Sequence, residues 1–211
     1  MERESLAMIA TRRMVLAGLA AAVATGACAA ASKPALALEP KEAEAFVGRL
    51  VAEMTELVQS GLPPEAQAER FRDIFVRYSA LGQIVRFVMG VTWRDMSEAQ
   101  KSAFEEAFLD YIGRTYVDLL QDYEGQTITV TGSKDFGDRG VLVISTGSGP
   151  RVNGSPVEWL VTDRAGNGPK LIDITAEGIS LLQTQRQEFA AMLDRRNGDI
   201  DRFIADLRSA G

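Results

Sequence analysis

The chain has no histidine, and its single cysteine, Cys28, lies near the N-terminus. A Ser-His-Asp triad needs an imidazole base, and the usual zinc sites are built from His and Cys, so both kinds of site are excluded. A phosphate-binding glycine loop is also missing, because Gly147-Ser148-Gly149 lies between two predicted strands and no lysine follows it. The acidic spacing of a calcium loop is absent as well. We therefore expect neither a metal nor a cofactor.

The N-terminal residues 1–37 have the features of a removable leader. Thr11–Leu16 is a twin-arginine-like start, an Ala-rich, weakly hydrophobic run follows at Ala17–Ala31, and Ala35-Leu36-Ala37 places small residues where a signal peptidase cleaves. The run is too short and too rich in alanine to span a membrane. We expect export to the periplasm by the twin-arginine or the general secretory route. The alternative is a lipidated Cys28.

Removal of the leader leaves one domain, residues 38–211, with a marked acidic balance. The leader holds four of the 23 basic and two of the 29 acidic side chains, so 19 basic and 27 acidic side chains remain and the formal charge is −8. This balance argues against nucleic-acid binding and against firm docking on anionic lipid, so contact with membranes should be transient. The remaining residues contain no cysteine, so disulfides play no part in their stability.

The apolar periodicity changes from helical to strand-like near Gly125 and then returns to helical. The helical pattern predicts helices at Lys41–Ser60, from Pro63-Pro64 to about Leu81, at Gln83–Met89 and at Ser180–Arg195. Ser97 should cap a further long helix with an aromatic face, and Asp199 a last short one. The alternating pattern predicts strands at Gln126–Thr131, Val141–Thr146, Val157–Asp163 and Lys170–Thr175. Short connections predict antiparallel pairing.

This order of elements predicts an α+β fold, a curved four-stranded antiparallel sheet wrapped by about six helices. In the third strand Val157, Trp159 and Val161 should share a face. In the fourth, Ile172 and Ile174 should share one, opposite Leu171. An aromatic helix laid across the concave side of the sheet forms either a ligand-holding cone or an ordinary packed core, and both have the same sequence pattern.

Carboxylates and one serine are the remaining candidates for chemistry. Glu158, Asp163, Asp173 and Glu177 cluster in sequence around the final hairpin, and paired acids transfer protons when burial raises the pKa of one of them. The stronger interpretation is structural, with Asp173 accepting hydrogen bonds from backbone amides at the corner between strand and helix. Ser180 stands at a helix N-cap with no adjacent base, which favours a capping role over a nucleophilic one.

Three stretches together carry a resemblance to a known family. They are Phe87–Arg94 continuing to Phe104 and Phe108, Tyr116–Tyr123 leading to Ile128, and Trp159 followed by Leu171–Leu181, Arg186 and Phe189. In order and spacing they resemble the MlaC family of periplasmic phospholipid-binding proteins, also known as toluene-tolerance or ABC-transporter auxiliary proteins. The resemblance covers nearly all of residues 38–210.

The resemblance implies a lipid carrier without enzymatic activity. Such a protein holds phospholipid acyl chains as cargo and exchanges lipid between an outer-membrane lipoprotein complex and an inner-membrane ABC transporter complex, which maintains outer-membrane lipid asymmetry. We expect a monomer. The alternatives are a hopanoid-pathway member of the same family, a protein-binding adaptor with a closed pocket, and a small isomerase that uses Asp173 or Glu177.

Candidate lining residues follow from the apolar faces of the predicted helices and strands. On the helices they are Ile84, Phe87, Val88, Phe104, Phe108, Tyr111, Ile112 and Tyr116, and on the strands they are Val141, Val143, Trp159, Ile172 and Ile174. Asp173 and Arg186 are the candidate polar residues, either for the lipid headgroup or for structure, and Asp173 is one candidate partner for Arg186.

Overall fold

The computed structural model describes residues 38–121, 125–149 and 153–209. The predicted leader and Cys28 lie outside the described residues. The described chain forms seven α-helices: α1 Pro40–Val58, α2 Pro64–Tyr78, α3 Leu81–Met89, α4 Thr92–Asp95, α5 Glu98–Gln121, α6 Leu181–Arg195 and α7 Ile200–Ser209. The predicted helices are confirmed with small shifts at their ends, and α4 is a single turn that the periodicity did not predict.

The strands form one antiparallel meander in the order β1-β2-β3-β4-β5. Their bounds are β1 Thr127–Asp135, β2 Val141–Ser148, β3 Asn153–Thr162, β4 Lys170–Ala176 and β5 Ile179–Ser180. The predicted α+β class and antiparallel pairing are confirmed. The predicted count of four strands is corrected to five, because the two residues before α6 pair with the end of β4.

Side-chain caps explain where three of the helices begin. Ser97 and Gln100 form the predicted capping box, in which each side chain bonds the other residue's backbone N–H, at 3.2 and 3.0 Å. Ser180 Oγ accepts the Gln183 N–H at 3.0 Å, and an oxygen of Asp199 accepts the Arg202 N–H at 3.1 Å. These local contacts satisfy helical donors that have no partner inside the helix.

The buried apolar side chains divide into two clusters. The helical cluster is formed by α3 and α5–α7 together with Met96, and its members are Ile84, Val85, Val88, Met89, Met96, Phe104, Ala107, Phe108, Ile112, Phe189, Phe203, Ile204 and Leu207. The sheet cluster joins α1 and one residue of α2 to β2–β4, and its members are Ala43, Phe46, Val47, Leu50, Leu57, Ile74, Val141, Val143, Trp159, Val161 and Leu171.

The helix that covers the sheet is α1, and the prediction that the aromatic helix lies there is wrong. Phe46, Val47 and Leu50 of α1 pack with the strand residues of the sheet cluster. The aromatic helix α5 packs mainly against α2 and α7. Its rings meet those of α6 and α7, where aromatic side chains find one another in edge-on and stacked contacts.

A β-bulge in β4 changes which of its side chains face the sheet cluster. Leu160 pairs with Asp173 and the next residue, Val161, pairs with Leu171, so Ile172 is an extra residue with no partner in the register. Leu171 is buried in the sheet cluster and Ile174 packs against it. The expectation that Ile172 and Ile174 share a face opposite Leu171 is therefore wrong, because a bulge interrupts the alternation of side chains.

Candidate functional site

The predicted lining residues fall into two separate groups. Ile84, Val88, Phe104, Phe108 and Ile112 are buried in the helical cluster, with Phe87, Tyr111 and Tyr116 half-buried against it. Val141, Val143 and Trp159 are buried in the sheet cluster, with Ile174 half-buried against it. Ile172, at the bulge, belongs to neither cluster. The structure thus brings the helical candidates together in one apolar cluster and most of the strand candidates together in the other.

The centre of the helical cluster is an interlocked set of rings. Phe104 lies 5.9 Å from Phe108, 5.9 Å from Phe189 and 6.0 Å from Phe203, measured between ring centroids. Phe189 and Phe203 are 5.5 Å apart. These are direct aromatic contacts. An acyl chain does not fit between rings at these distances, so Phe104 and Phe108 form packed core in this conformation.

Half-buried rings of α2 and α5 form a contact that we call the seam, defined by Phe71, Phe75 and Tyr116. Phe71 packs against both apolar clusters and is stacked on Tyr116, with the centroids 6.1 Å apart and the planes at 4°. Phe75 meets Phe108 edge-on at 6.0 Å. Since the buried side chain of α2, Ile74, belongs to the sheet cluster, α2 and α5 meet where the two clusters adjoin.

Tyr116 is the polar group of the seam. Burial raises the pKa of Tyr116 to about 12, and the nearby carboxylate of Glu188 acts in the same direction. No described residue hydrogen-bonds its hydroxyl. The seam therefore holds a neutral phenol, with an unused hydrogen-bonding group, among apolar rings.

Trp159 is a fixed anchor of the sheet cluster. Its indole N–H donates to Ser145 Oγ at 2.8 Å, and Ser145 Oγ donates to the Val157 carbonyl at 3.1 Å. Both side chains are buried, with Trp159 6% exposed. A buried tryptophan satisfied in this way is held in one orientation.

Asp173 is engaged at the corner between β4 and α6. One oxygen accepts the Ser180 hydroxyl at 2.6 Å and the other accepts the Leu182 N–H at 3.0 Å. The exposed Glu177 accepts a hydrogen bond from Ser155. The contacts of Asp173 and the N-cap bond of Ser180 agree with the structural roles considered for them, since both side chains are occupied with holding the start of α6.

Arg186 of α6 packs against α3 and pairs with no carboxylate among the described residues, so Asp173, the candidate partner, does not form an ion pair with it. Its guanidinium carbon is 5.0 Å from the centre of the Phe87 ring, a cation–π contact. A Cβ atom on Gly90 would lie 2.8 Å from Arg186 Nη2. Arg186 is thus packed between Phe87 and the glycine that ends α3.

Sequence reasoning missed two members of the seam. Phe71 and Phe75 carry the inward face of α2, but periodicity does not show that this face reaches across to α5. In the described residues no group of three or more acidic side chains is placed to hold a metal ion. Among those residues, no helix combines the length and apolar character needed to cross a bilayer.

Comparison with known proteins supplies relatives of known name. Residues 46–209 match the family model of the MlaC protein. The intermembrane phospholipid transport system binding protein MlaC of Haemophilus influenzae is 22% identical over 127 residues, which is 58% of each chain, so the match spans less than two thirds of that relative.

A solved structure shares the fold. It is a phospholipid-binding protein from Ralstonia solanacearum in complex with a phospholipid, with a TM-score of 0.66 and 21% identity. The match covers 79% of this chain and 98% of that one. At this level of identity the likeness shows the fold.

Proposed function

Because the chain belongs to the MlaC family, we propose that it binds a phospholipid through its acyl chains and carries it between membranes. The match of the family model over residues 46–209 is the observation that carries this proposal. The names of the relatives support the same ligand: one belongs to an intermembrane phospholipid transport system and the other is a phospholipid complex.

Physical chemistry sets the requirement for such a carrier. Each buried methylene contributes about 0.8 kcal/mol, so two acyl chains with ~30 methylenes together cost on the order of 20 kcal/mol to expose to water. A carrier that crosses an aqueous compartment must enclose most of that surface. We propose the periplasm as this compartment, with the outer-membrane lipoprotein complex and the inner-membrane ABC transporter complex as partners and no chemical step on the lipid.

The seam is the place where the fold most readily admits acyl chains. The centres of both clusters are packed, whereas Phe71, Phe75 and Tyr116 are half-buried at the edge of the helical cluster, and Phe71 also packs against the sheet cluster. Separating α2 from α5 would expose the inner faces of both clusters to a ligand. On this proposal Tyr116 and Ile174 line the cavity, and the rings of Phe104 and Phe108 form its base. Asp173 and Arg186 act structurally.

Analysis of copurified lipid tests the function directly. We expect protein purified without detergent to release phospholipid, close to equimolar with protein, on organic extraction and mass spectrometry. A protein without a ligand cavity would yield only trace lipid. That result, in protein shown by circular dichroism to be folded, would refute the proposal.

A reversible cross-link tests the seam. A Cβ on Gly113 would lie 3.8 Å from the Cβ of Ala68, which suits a disulfide between α5 and α2. We expect the Ala68→Cys/Gly113→Cys protein, in a Cys28→Ser background, to take up a fluorescent phospholipid much more slowly when oxidised than when reduced. The reduced form is the matched control. Equal rates would show that lipid enters without separating α2 from α5.

A further inference from the structure

A cleft whose lining includes no residue of the seam lies between the α2–α3 junction and the β3–β4 hairpin. Its volume is about 320 Å³, and its walls are Ser79–Gln83 and Arg86 on one side and Thr162–Ala165 with Lys170 on the other. None of the predicted lipid-lining residues contributes to it. The cleft has room for a small polar group.

Two buried polar atoms in this cleft lack partners. Ser79 Oγ and Asp163 Oδ1 are shielded from solvent and make no hydrogen bond. Ser79 is only 5% exposed. Buried polar atoms in folded proteins are nearly always hydrogen-bonded, because an unpaired one has lost its hydrogen bonds to water without replacement. Two such atoms belong to lining residues of one cleft, so a ligand that enters and shifts these side chains can supply the partner that each atom lacks.

The charges around the cleft favour an anion. Asp163 is its one acidic lining residue, against the basic Arg86, Arg164 and Lys170. Lys170 donates to the Arg77 carbonyl and Arg164 Nε to the Asp138 carbonyl, which leaves other N–H groups of both side chains available. The guanidinium of Arg86 makes no ion pair or hydrogen bond with the described residues.

We propose that this cleft binds a phosphate ester that also carries a hydroxyl or ammonium group. The phosphate oxygens are met by Arg86 and Lys170, which supply charge-assisted hydrogen bonds. The hydroxyl or ammonium group donates to Asp163 Oδ1, and Ser79 Oγ completes the contact. The same chemistry is found in a phospholipid headgroup and in a small soluble phosphate ester.

The position of the cleft connects it to both apolar clusters. Ser79 forms a backbone bridge to Leu171 of the sheet cluster, and Leu81 packs against the helical cluster. A headgroup held here would lie beside the boundary at which the clusters meet. The headgroup version of the inference rests on the proposed function, whereas the soluble-ester version does not.

Titration of the mature protein with glycerophosphoethanolamine tests the site. We expect saturable shifts of amide resonances from the cleft in NMR spectra. Ethanolamine or inorganic phosphate alone should cause much weaker shifts. The Asp163→Asn and Ser79→Ala variants should bind the ester severalfold more weakly than the wild type. Asp138→Asn is the matched control, since it removes the same charge from the neighbouring turn without touching the cleft, and should bind like the wild type. No saturable binding, or equal weakening in Asp163→Asn and Asp138→Asn, would mean that the cleft holds only solvent.

The lipids that copurify with Asp163→Asn distinguish the two sources. If a headgroup occupies the cleft, the variant retains as much lipid as the wild type. A larger share of that lipid then has a headgroup without an amine or hydroxyl. Unchanged lipid with weakened ester binding assigns the site to soluble esters. If the wild type carries no lipid, the proposed function fails while the titration still decides on the cleft. Unchanged lipid and unchanged titration together overturn the inference.

Discussion

The helical cluster and the sheet cluster are stabilised in different ways. The helical cluster is built from phenylalanine rings of α5, α6 and α7 in mutual contact. The sheet cluster is largely aliphatic, and its one tryptophan donates a hydrogen bond to Ser145, whose hydroxyl in turn donates to a backbone carbonyl. Among the described residues, Phe71 is the side chain that packs against both clusters. The contact between the clusters is therefore narrow compared with the packing inside each of them.

Removal of a central ring should have the largest effect on stability. Phe104 is fully buried and touches four other aromatic side chains. We expect Phe104→Ala to lower the free energy of unfolding by about 3–5 kcal/mol in urea denaturation, because the cavity cannot be refilled by stiff rings. Val91→Ala, at a side chain that is 74% exposed, should change it by less than about 0.5 kcal/mol. A small loss at Phe104 would show that the rings are loosely packed and able to admit ligand.

The sheet cluster should be most sensitive at a hydroxyl group. Ser145→Ala leaves the buried Trp159 N–H without an acceptor, and we expect a loss of about 1–3 kcal/mol in the free energy of unfolding. Trp159→Phe removes the donor. In the double variant the Ser145→Ala change should therefore cost much less than it does alone. Additive losses in this double-mutant cycle would contradict the assigned hydrogen bond.

The seam should respond to alkaline pH through Tyr116. An unfolded tyrosine ionises near pH 10, whereas in the folded protein the pKa of Tyr116 is raised to about 12, so the neutral form is favoured by folding. The resulting stability is fully present below pH 10 and is lost as the pH rises toward 12, by about 3 kcal/mol in all. We expect Tyr116→Phe to lose less stability than the wild type between pH 9 and 11.5 in urea titrations. Equal losses of stability in Tyr116→Phe and the wild type would show that the phenol is exposed to water in the folded protein.

The smallest effect should be a stabilisation outside both clusters. Gly48 is an exposed residue within α1, and a Cβ there would meet no atom within 4 Å. We expect Gly48→Ala to raise the free energy of unfolding by about 0.5–1 kcal/mol, because alanine loses less backbone entropy on forming a helix. Lipid retention should not change. The same substitution at the other glycine, Gly90→Ala, should instead lower the free energy of unfolding. The φ of Gly90 is +57° and Arg186 lies close to it, so a side chain is excluded there.

Local sequence determined most of the elements. The capping residues Ser97, Ser180 and Asp199 begin their helices as predicted, because a cap is a contact between residues two or three apart. The alternation of strand residues and the short connections determined the antiparallel meander, and the ordered motifs identified the family. Each of these features is written within a short stretch of chain.

Tertiary structure alone decided how those elements meet. The α5 rings pack among helices and α1 covers the sheet, since either amphipathic helix has a face suited to burial and only long-range packing selects between them. The bulge in β4 moves Leu171 inward through a shift in pairing that alternation cannot reveal. Ser79 and Asp163 line one cleft although they are far apart in sequence, because the α2–α3 junction is joined to the sheet beside the β3–β4 hairpin.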